Sequence, residues 1–279
     1  MFIISPGRSG STLLQRYLNS SKDLLIWGEH GGFISGLSDS YYKFANNQGV
    51  QNLLSWGRGN VDLLLSQQKL VEVDIEWTNN FTLEDWQVAH RDLVLRLLAI
   101  EIPQSVRWGF KEIRYGEKVI RLLRELFPKA QFIFLVRHPI DTLASMIAAW
   151  FKPENVWEQQ GWLKDKELLL KLQEFIIQHC SRVLRVSEAI NRYVADGYLI
   201  QYENLKENPY EVLYSTCVYL DVSPPSAEQI AMIASDVRKS TKSKAIKEAL
   251  YKEFINNVKI LEVCELYEAF GYSCSIRKP

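Results

Sequence analysis

Gly7 and Gly10 bracket Arg8 and Ser9, and Ser11 and Thr12 follow at once. Those residue types at that spacing make an anion cradle. Glycine lets the backbone turn tightly and approach an anion closely. Ser11 and Thr12 add hydroxyl donors, and Arg8 adds a permanent cation with a forked donor set. The loop Ser5 to Gly10 follows a short apolar strand, Phe2 to Ser5. It precedes a helical pattern with Leu13, Leu14, Tyr17 and Leu18 on one face. Strand, glycine loop and helix in succession bring the free N–H groups and partial positive charge of a helix start against the anion. A nucleoside-triphosphate loop needs four residues between its glycines and then a lysine. Here two residues separate Gly7 from Gly10, and no lysine precedes Ser11. The cation sits early instead, at Arg8. A glycine loop serving only as a turn before a helix is the competing reading of this segment by itself.

A second set of polar residues falls at the ends of expected strands. Arg137 follows the apolar run Gln131 to Val136, so a sheet would fix its position. A guanidinium there can grip a compact anion bidentately, or can form an ordinary ion pair. Ser145 lies eight residues on, two turns into a helix opened by Pro139 at its favoured first position. It can donate to a ligand running along that helix, or serve as a small packing residue. Tyr202 closes the expected strand Tyr198 to Tyr202. Its ring suits stacking on a purine, although a tyrosine so placed is often core. The run Arg238 to Lys244 mixes cations with Ser240, Thr241 and Ser243, and reads as a solvated helix end or as a flap.

The elements that must carry these residues alternate. Strands are expected at Phe2 to Ser5, Leu24 to Trp27, Arg107 to Glu112, Gln131 to Val136 and Tyr198 to Tyr202. Helices are expected at Leu83 to Ile100, Gly116 to Phe127, Lys164 to Ala195 and Asn208 to Leu220. Such alternation implies an α/β fold of three layers, α/β/α, around a central, mostly parallel sheet. Ligands in such sheets bind beyond the carboxyl ends of the strands, where Arg8, Arg137 and Tyr202 fall. Residues 1–279 read as one domain, with a mainly helical, aromatic-rich insertion at about 33–103.

Composition narrows the class. The chain has 279 residues, and its 47 % hydrophobic content can build a core without disulfides. The formal net charge of zero argues against a general nucleic-acid binder. Cys180, Cys217, Cys264 and Cys274 are scattered, and His30, His90, His138 and His179 stand apart, so no metal framework is expected. No leader segment and no membrane-length apolar run is visible, which places the expected protein in the cytoplasm. Oligomeric state leaves no mark on the sequence.

Taken in order, these segments resemble the donor site of sulfotransferases that use 3′-phosphoadenosine-5′-phosphosulfate (PAPS). Arg8-Ser9-Gly10-Ser11-Thr12 is similar to that family's 5′-phosphosulfate loop. Phe132 to Ser145 is similar to its 3′-phosphate segment, with Arg137 and Ser145 at the matching spacing. Tyr202-Glu203-Asn204-Leu205 is similar to the segment whose ring lies by the adenine. The resemblance implies a P-loop-like sulfotransferase architecture and a donor site of Arg8, Ser9, Gly10, Ser11, Thr12, Leu13, Arg137, Ser145, Tyr202 and, more loosely, Ser240. It implies PAP, adenosine 3′,5′-bisphosphate, as product, with no metal required. Glu29, after Gly28, is similar to a Gly-Glu pair that would supply the general base; His30 and Glu112 are the alternatives. Lys111 resembles the strand-end lysine that contacts the leaving oxygen, and Arg8 would share that work.

The expected reaction is sulfuryl transfer to a hydroxyl or amine of a small-molecule acceptor, such as a natural product of secondary metabolism. Acidic Glu72, Asp74, Glu76, Glu84 and Asp85 hint at a cationic acceptor, or are solvated surface. Trp150, Phe151, Trp157 and Trp162 could line its pocket. The competing functions are a P-loop kinase of small molecules and a non-catalytic nucleotide-binding protein of the same fold. No nucleic-acid or membrane partner is expected.

Overall fold

The computed structural model describes residues 1–52, 54, 81–151, 165–235 and 242–274. Trp56, Glu72, Asp74, Glu76, Trp77, Trp157, Trp162 and Ser240 lie outside the described residues. Two compact units divide the chain: Met1–His30 with Pro103–Glu117 and Ala130–Pro279, and Gly31–Ile102 with Lys118–Lys129.

Among the described residues, the first unit is built on five parallel strands. They are β1 (Phe2–Ile4), β2 (Leu24–Trp27), β3 (Arg107–Glu112), β4 (Phe132–Val136) and β5 (Tyr198–Gln201), in the order β2-β3-β1-β4-β5. β1 and β4 are fully buried runs, as strands covered on both faces require. Ile3 pairs with Ile133, and Ile4 pairs with Glu112 on one side and Phe134 on the other. Alternation along the strands divides the core. Ile3, Ile26, Ile133, Leu135 and Ile200 form one cluster with Leu14 and Leu18 of α1 (Ser11–Leu18). Leu213 and Leu220 of α8 (Pro209–Leu220) and Ile230 of α9 (Ala227–Ser235) complete it. On the other face Phe2 meets Phe110 and Phe132 with ring centroids 4.6 and 5.4 Å apart. The helices α5 (Pro139–Trp150), α6 (Lys166–Tyr193), α10 (Lys242–Ala249) and α11 (Val258–Glu268) pack on one another. α7 (Tyr202–Glu207) follows β5 directly.

The second unit holds α2 (Ile34–Ala45), α3 (Leu83–Leu98) and most of α4 (Glu117–Leu126). Tyr42 donates to Glu125 at 2.8 Å and lies under the Arg121 guanidinium at 4.0 Å. Asp85 is committed to a capping box with Thr82, which removes it from the acidic set considered for an acceptor. No described helix is long and apolar enough to cross a membrane.

The structure moves one expected site residue to a different element. Tyr202 opens helix α7 instead of closing β5. Pairing with β4 ends at Val136–Gln201, so Tyr202 has no ladder partner to keep it extended.

Candidate active site

Three neighbouring strands deliver the polar residues to one edge of the sheet. β1 lies between β3 and β4, and all three run the same way. Residues 5–10 therefore leave β1 flanked by the exits of β3, at Lys111 to Arg114, and of β4, at Arg137. Arg8 adopts φ 65°, a left-handed conformation that costs a non-glycine residue about 1 kcal/mol or more. Gly10, at φ 92°, caps α1. Leu13 and Leu14 donate to its carbonyl at 2.9 and 3.1 Å, so the helix begins tightly. Ser11 and Thr12 hold first-turn N–H groups that α1 itself does not use. Ser9 is fully buried, and its hydroxyl lacks a hydrogen-bond partner. The hydroxyl of Ser5, just past β1, is buried and unpaired in the same way.

Leu13 does not fit its expected role. Its N–H is spent on Gly10, and its side chain packs against the core cluster. The row of free donors ends at Thr12.

Gly10 is also the one position where the loop tolerates no side chain. A Cβ there would overlap the ring of Tyr202 and carry an unfavourable positive φ. Gly10→Ala is expected to destabilise the fold by about 2 kcal/mol, read as a drop in thermal midpoint, and to weaken nucleotide binding with it. An unchanged midpoint would show that the ring yields freely.

Tyr202 and Ser145 tie the loop to its neighbours. The Arg137 guanidinium sits 4.6 Å from the Tyr202 ring centroid, within cation–π range. Arg137 also donates from Nη1 to the Arg8 carbonyl at 3.2 Å. Arg8 Nε donates to Ser145 Oγ at 3.2 Å. Arg8, Arg137, Ser145 and Tyr202 thus form one connected set.

Glu29 stands after β2 and faces the exit of β3. Lys111 Nζ donates to Glu29 Oε1 at 2.6 Å and to Thr12 Oγ1 at 3.1 Å. Arg114 Nη1 donates to Glu29 Oε2 at 3.1 Å and to Glu112 Oε1 at 2.6 Å. Burial by itself would push the Glu29 carboxyl up. The hydrogen bond and charge of Lys111, with those of Arg114, more than offset it and hold the group below its ordinary value. Glu29 is therefore ionised at neutral pH.

The two alternative bases sit differently. Glu112 has a fully buried side chain that accepts from Arg114 and from the Ile113 and His30 N–H groups. That is a structural carboxylate, committed to holding the strand exit. His30 shares a hydrogen bond with Tyr115 at 3.2 Å, and burial lowers its pKa against the opposing pull of Glu112. Neither lines the cleft described next.

A cleft of about 1030 Å³ opens over the loop, lined by Gly7, Arg8, Gly10, Ser11, Thr12, Glu29, Arg114, Arg137, Ser145 and Tyr202. Ser9 and Lys111 lie behind this lining, Lys111 reaching it through Thr12 and Glu29. It continues past Ile113, Met146 and Trp150 to Phe175, His179 and Arg182. Trp150 was expected there; Phe151 is not part of the lining. Sequence reasoning missed Arg114, His179, Arg182 and Lys206. The spacing Phe175, His179, Arg182 marks one face of α6, and Lys206 lies one turn after Tyr202 on α7. Both were legible signals. His179 gives its ring to Phe175, stacked at 3.8 Å, and shares a hydrogen bond with that residue's carbonyl at 2.9 Å. Among the described residues no group of three or more His, Cys, Asp or Glu could hold a metal ion.

Comparison with known proteins follows the same lines. A sequence profile described as the sulfotransferase family matches residues 1–225. No curated protein sequence matches the chain. The sulfotransferase domain of the olefin synthase of Synechococcus PCC 7002 superposes with a TM-score of 0.57 at 19 % identity, covering 98 % of this chain and 94 % of that one. The sulfotransferase domain of the curacin biosynthetic pathway gives 0.48 at 16 % identity, with 98 % and 97 % covered. A mouse sulfotransferase complexed with PAP gives 0.45 at 14 % identity, with 98 % and 84 % covered. The first of these shares the P-loop-like fold described above, and the profile match spans most of the chain. This chain belongs to the sulfotransferase family.

Proposed function

We propose that the protein transfers a sulfuryl group from PAPS to a hydroxyl or amine of a small-molecule acceptor. One observation carries the reading: Arg8, Lys111 and Arg137 converge on a glycine loop that lacks the lysine of a triphosphate site. In this assignment the N–H groups and hydroxyls of residues 9–12 cradle the phosphosulfate. Arg137, with Ser145 beside it through Arg8, receives the 3′-phosphate. Tyr202 takes the adenine side and Lys206 adds positive charge.

The chemistry then follows from charge. The acceptor oxygen or nitrogen forms a bond to sulfur while the bond from sulfur to the phosphate oxygen breaks. Negative charge collects on that leaving oxygen, where fixed cations stabilise it. Lys111 is placed to supply one, and Arg8 another. The acceptor proton passes to Glu29. Lys111 couples these two tasks. It bridges Thr12 and Glu29, and as it turns toward the leaving oxygen Glu29 loses a hydrogen-bonded cation and gains basicity. The acceptor occupies the end of the cleft lined by Ile113, Met146, Trp150 and Phe175, which suits an apolar body. Among the described residues Glu29 is the one carboxylate in that lining, and it is paired with Lys111 and Arg114.

Glu29→Gln is expected to lower kcat by about 10²- to 10⁴-fold. The pH profile should separate base from structural roles. A carboxyl held below its ordinary value stays ionised as pH falls toward ~4.3, so wild-type kcat/KM, which reports the free enzyme, should lose its base only below that point. The variant should lose that acid limb altogether. An unaltered rate would remove Glu29 from the mechanism.

The function is tested by incubating the protein with PAPS and a small-molecule extract. Mass spectrometry should find a sulfo-adduct formed with matching release of PAP. PAPS left intact with every extract would favour a non-catalytic nucleotide binder of the same fold.

A further inference from the structure

The sulfotransferase profile ends at residue 225, yet a residue far beyond it reaches the strand exit that carries Arg137. After α11 the chain folds back on itself. Gly271 and Tyr272 N–H donate to the carbonyls of Glu268 and Tyr267 at 2.9 and 3.1 Å, with Gly271 at φ 81°. Gln201, the last residue of β5, donates to the Phe270 carbonyl at 2.7 Å. That places the Tyr272 hydroxyl 2.5 Å from Glu203 Oε2 and 3.4 Å from the Val136 carbonyl. The other Glu203 oxygen accepts the His138 N–H at 3.0 Å.

Val136 and His138 are the two neighbours of Arg137. The phenol's one proton goes to Glu203, so its 3.4 Å approach to the Val136 carbonyl is a secondary contact. The Tyr272–Glu203 pair holds the backbone just after Arg137 through the His138 N–H. Tyr202, adjacent to Glu203, holds the guanidinium itself. Burial, then the Glu203 carboxylate, push the Tyr272 pKa far up, so the hydroxyl remains a donor throughout the working pH range. A guanidinium meant for a compact dianion loses affinity quickly when misplaced, because bidentate bonding is directional.

We propose that Tyr272 and Glu203 are positioning residues that aim Arg137, so that the C-terminal tail sets how strongly the protein selects a nucleotide with a 3′-phosphate. The inference rests on the donor reading given above.

The test compares PAP with 5′-AMP, which lacks the 3′-phosphate, by calorimetric titration of the full chain. Wild type should prefer PAP, and Arg137→Ala should abolish the preference. Tyr272→Phe keeps the ring against His138 and removes only the hydroxyl. It is expected to weaken PAP about tenfold, the scale of one hydrogen bond to a charged group, while 5′-AMP affinity holds. In turnover, KM for PAPS should rise with kcat unchanged. Glu203→Gln should shift selectivity in the same direction, which guards against a folding failure of the first variant. A tail that is merely structural would lower the thermal midpoint and leave the PAP-to-AMP ratio at the wild-type value in both variants. That result overturns the proposal while leaving the donor reading intact. A wild type without PAP preference, or an Arg137→Ala variant that keeps it, overturns the donor reading and the proposal together.

Discussion

Lys111→Ala is expected to lower kcat by about 10³-fold while PAP binds within about threefold of wild type. The size follows from what the ammonium does. It sits on a strand end that is 5 % exposed, bonded to Thr12 at the start of α1 and to Glu29. A fixed donor aimed at developing charge is worth about 10²- to 10³-fold in an enclosed site. Losing Lys111 adds a second effect, because the partner that relays charge between donor and Glu29 is gone. Ground-state binding should change little, since Arg8, Arg137 and the loop donors remain. Single-turnover release of PAP gives the rate, and calorimetry gives the affinity. A variant that fails to bind PAP but turns over normally at saturation would place Lys111 in recognition and not in chemistry.

Arg137→Ala should show the opposite split. PAP affinity is expected to fall about 100-fold, since a bidentate bond to a charged group carries about 2–3 kcal/mol. The kcat at saturating donor should stay within a few-fold. Arg137→Lys should restore only part of the affinity. A point charge on a flexible stem neither forks around a phosphate nor stacks flat on Tyr202. The measurement is the same titration, repeated at two salt concentrations. A full rescue by lysine would mean that charge matters there and geometry does not.

Much of the positioning scaffold was legible in the residues. Leu24–Trp27 and Arg107–Glu112 form strands within their expected bounds. Leu24–Trp27 is a short apolar run of the kind a parallel sheet buries, whereas Arg107–Glu112 carries three charged residues and is held by pairing with β1 and β2 on its two sides. Pro139 opens α5 where its ring conformation suits the first turn. The glycine loop, Arg137 and Glu29 stand out in the sequence because glycine, a strand-end cation and a carboxylate after glycine are local signals, and all three line one cleft.

What escaped is non-local. Arg114 joins Glu29 to Glu112 only after β2 and β3 are side by side. Leu13 was expected to contribute to the donor site, but helix closure on Gly10 consumes its N–H. Asp141, in the first turn of α5, pairs with Lys247 from α10 at 2.8 Å, again across a long stretch of sequence. Tyr272 is invisible to any strand or loop pattern. Its value depends on a tail folding back across 69 residues of sequence to reach Glu203. Such contacts are set by packing, and no periodicity announces them.

The most direct measurement of the central claim is a calorimetric titration with PAP in the presence of a chelator, against ATP with Mg²⁺. Arg8, Lys111, Arg137 and the short glycine loop predict saturable PAP binding that needs no metal and much weaker binding of ATP–Mg²⁺. Binding of ATP–Mg²⁺ with none of PAP would contradict the account.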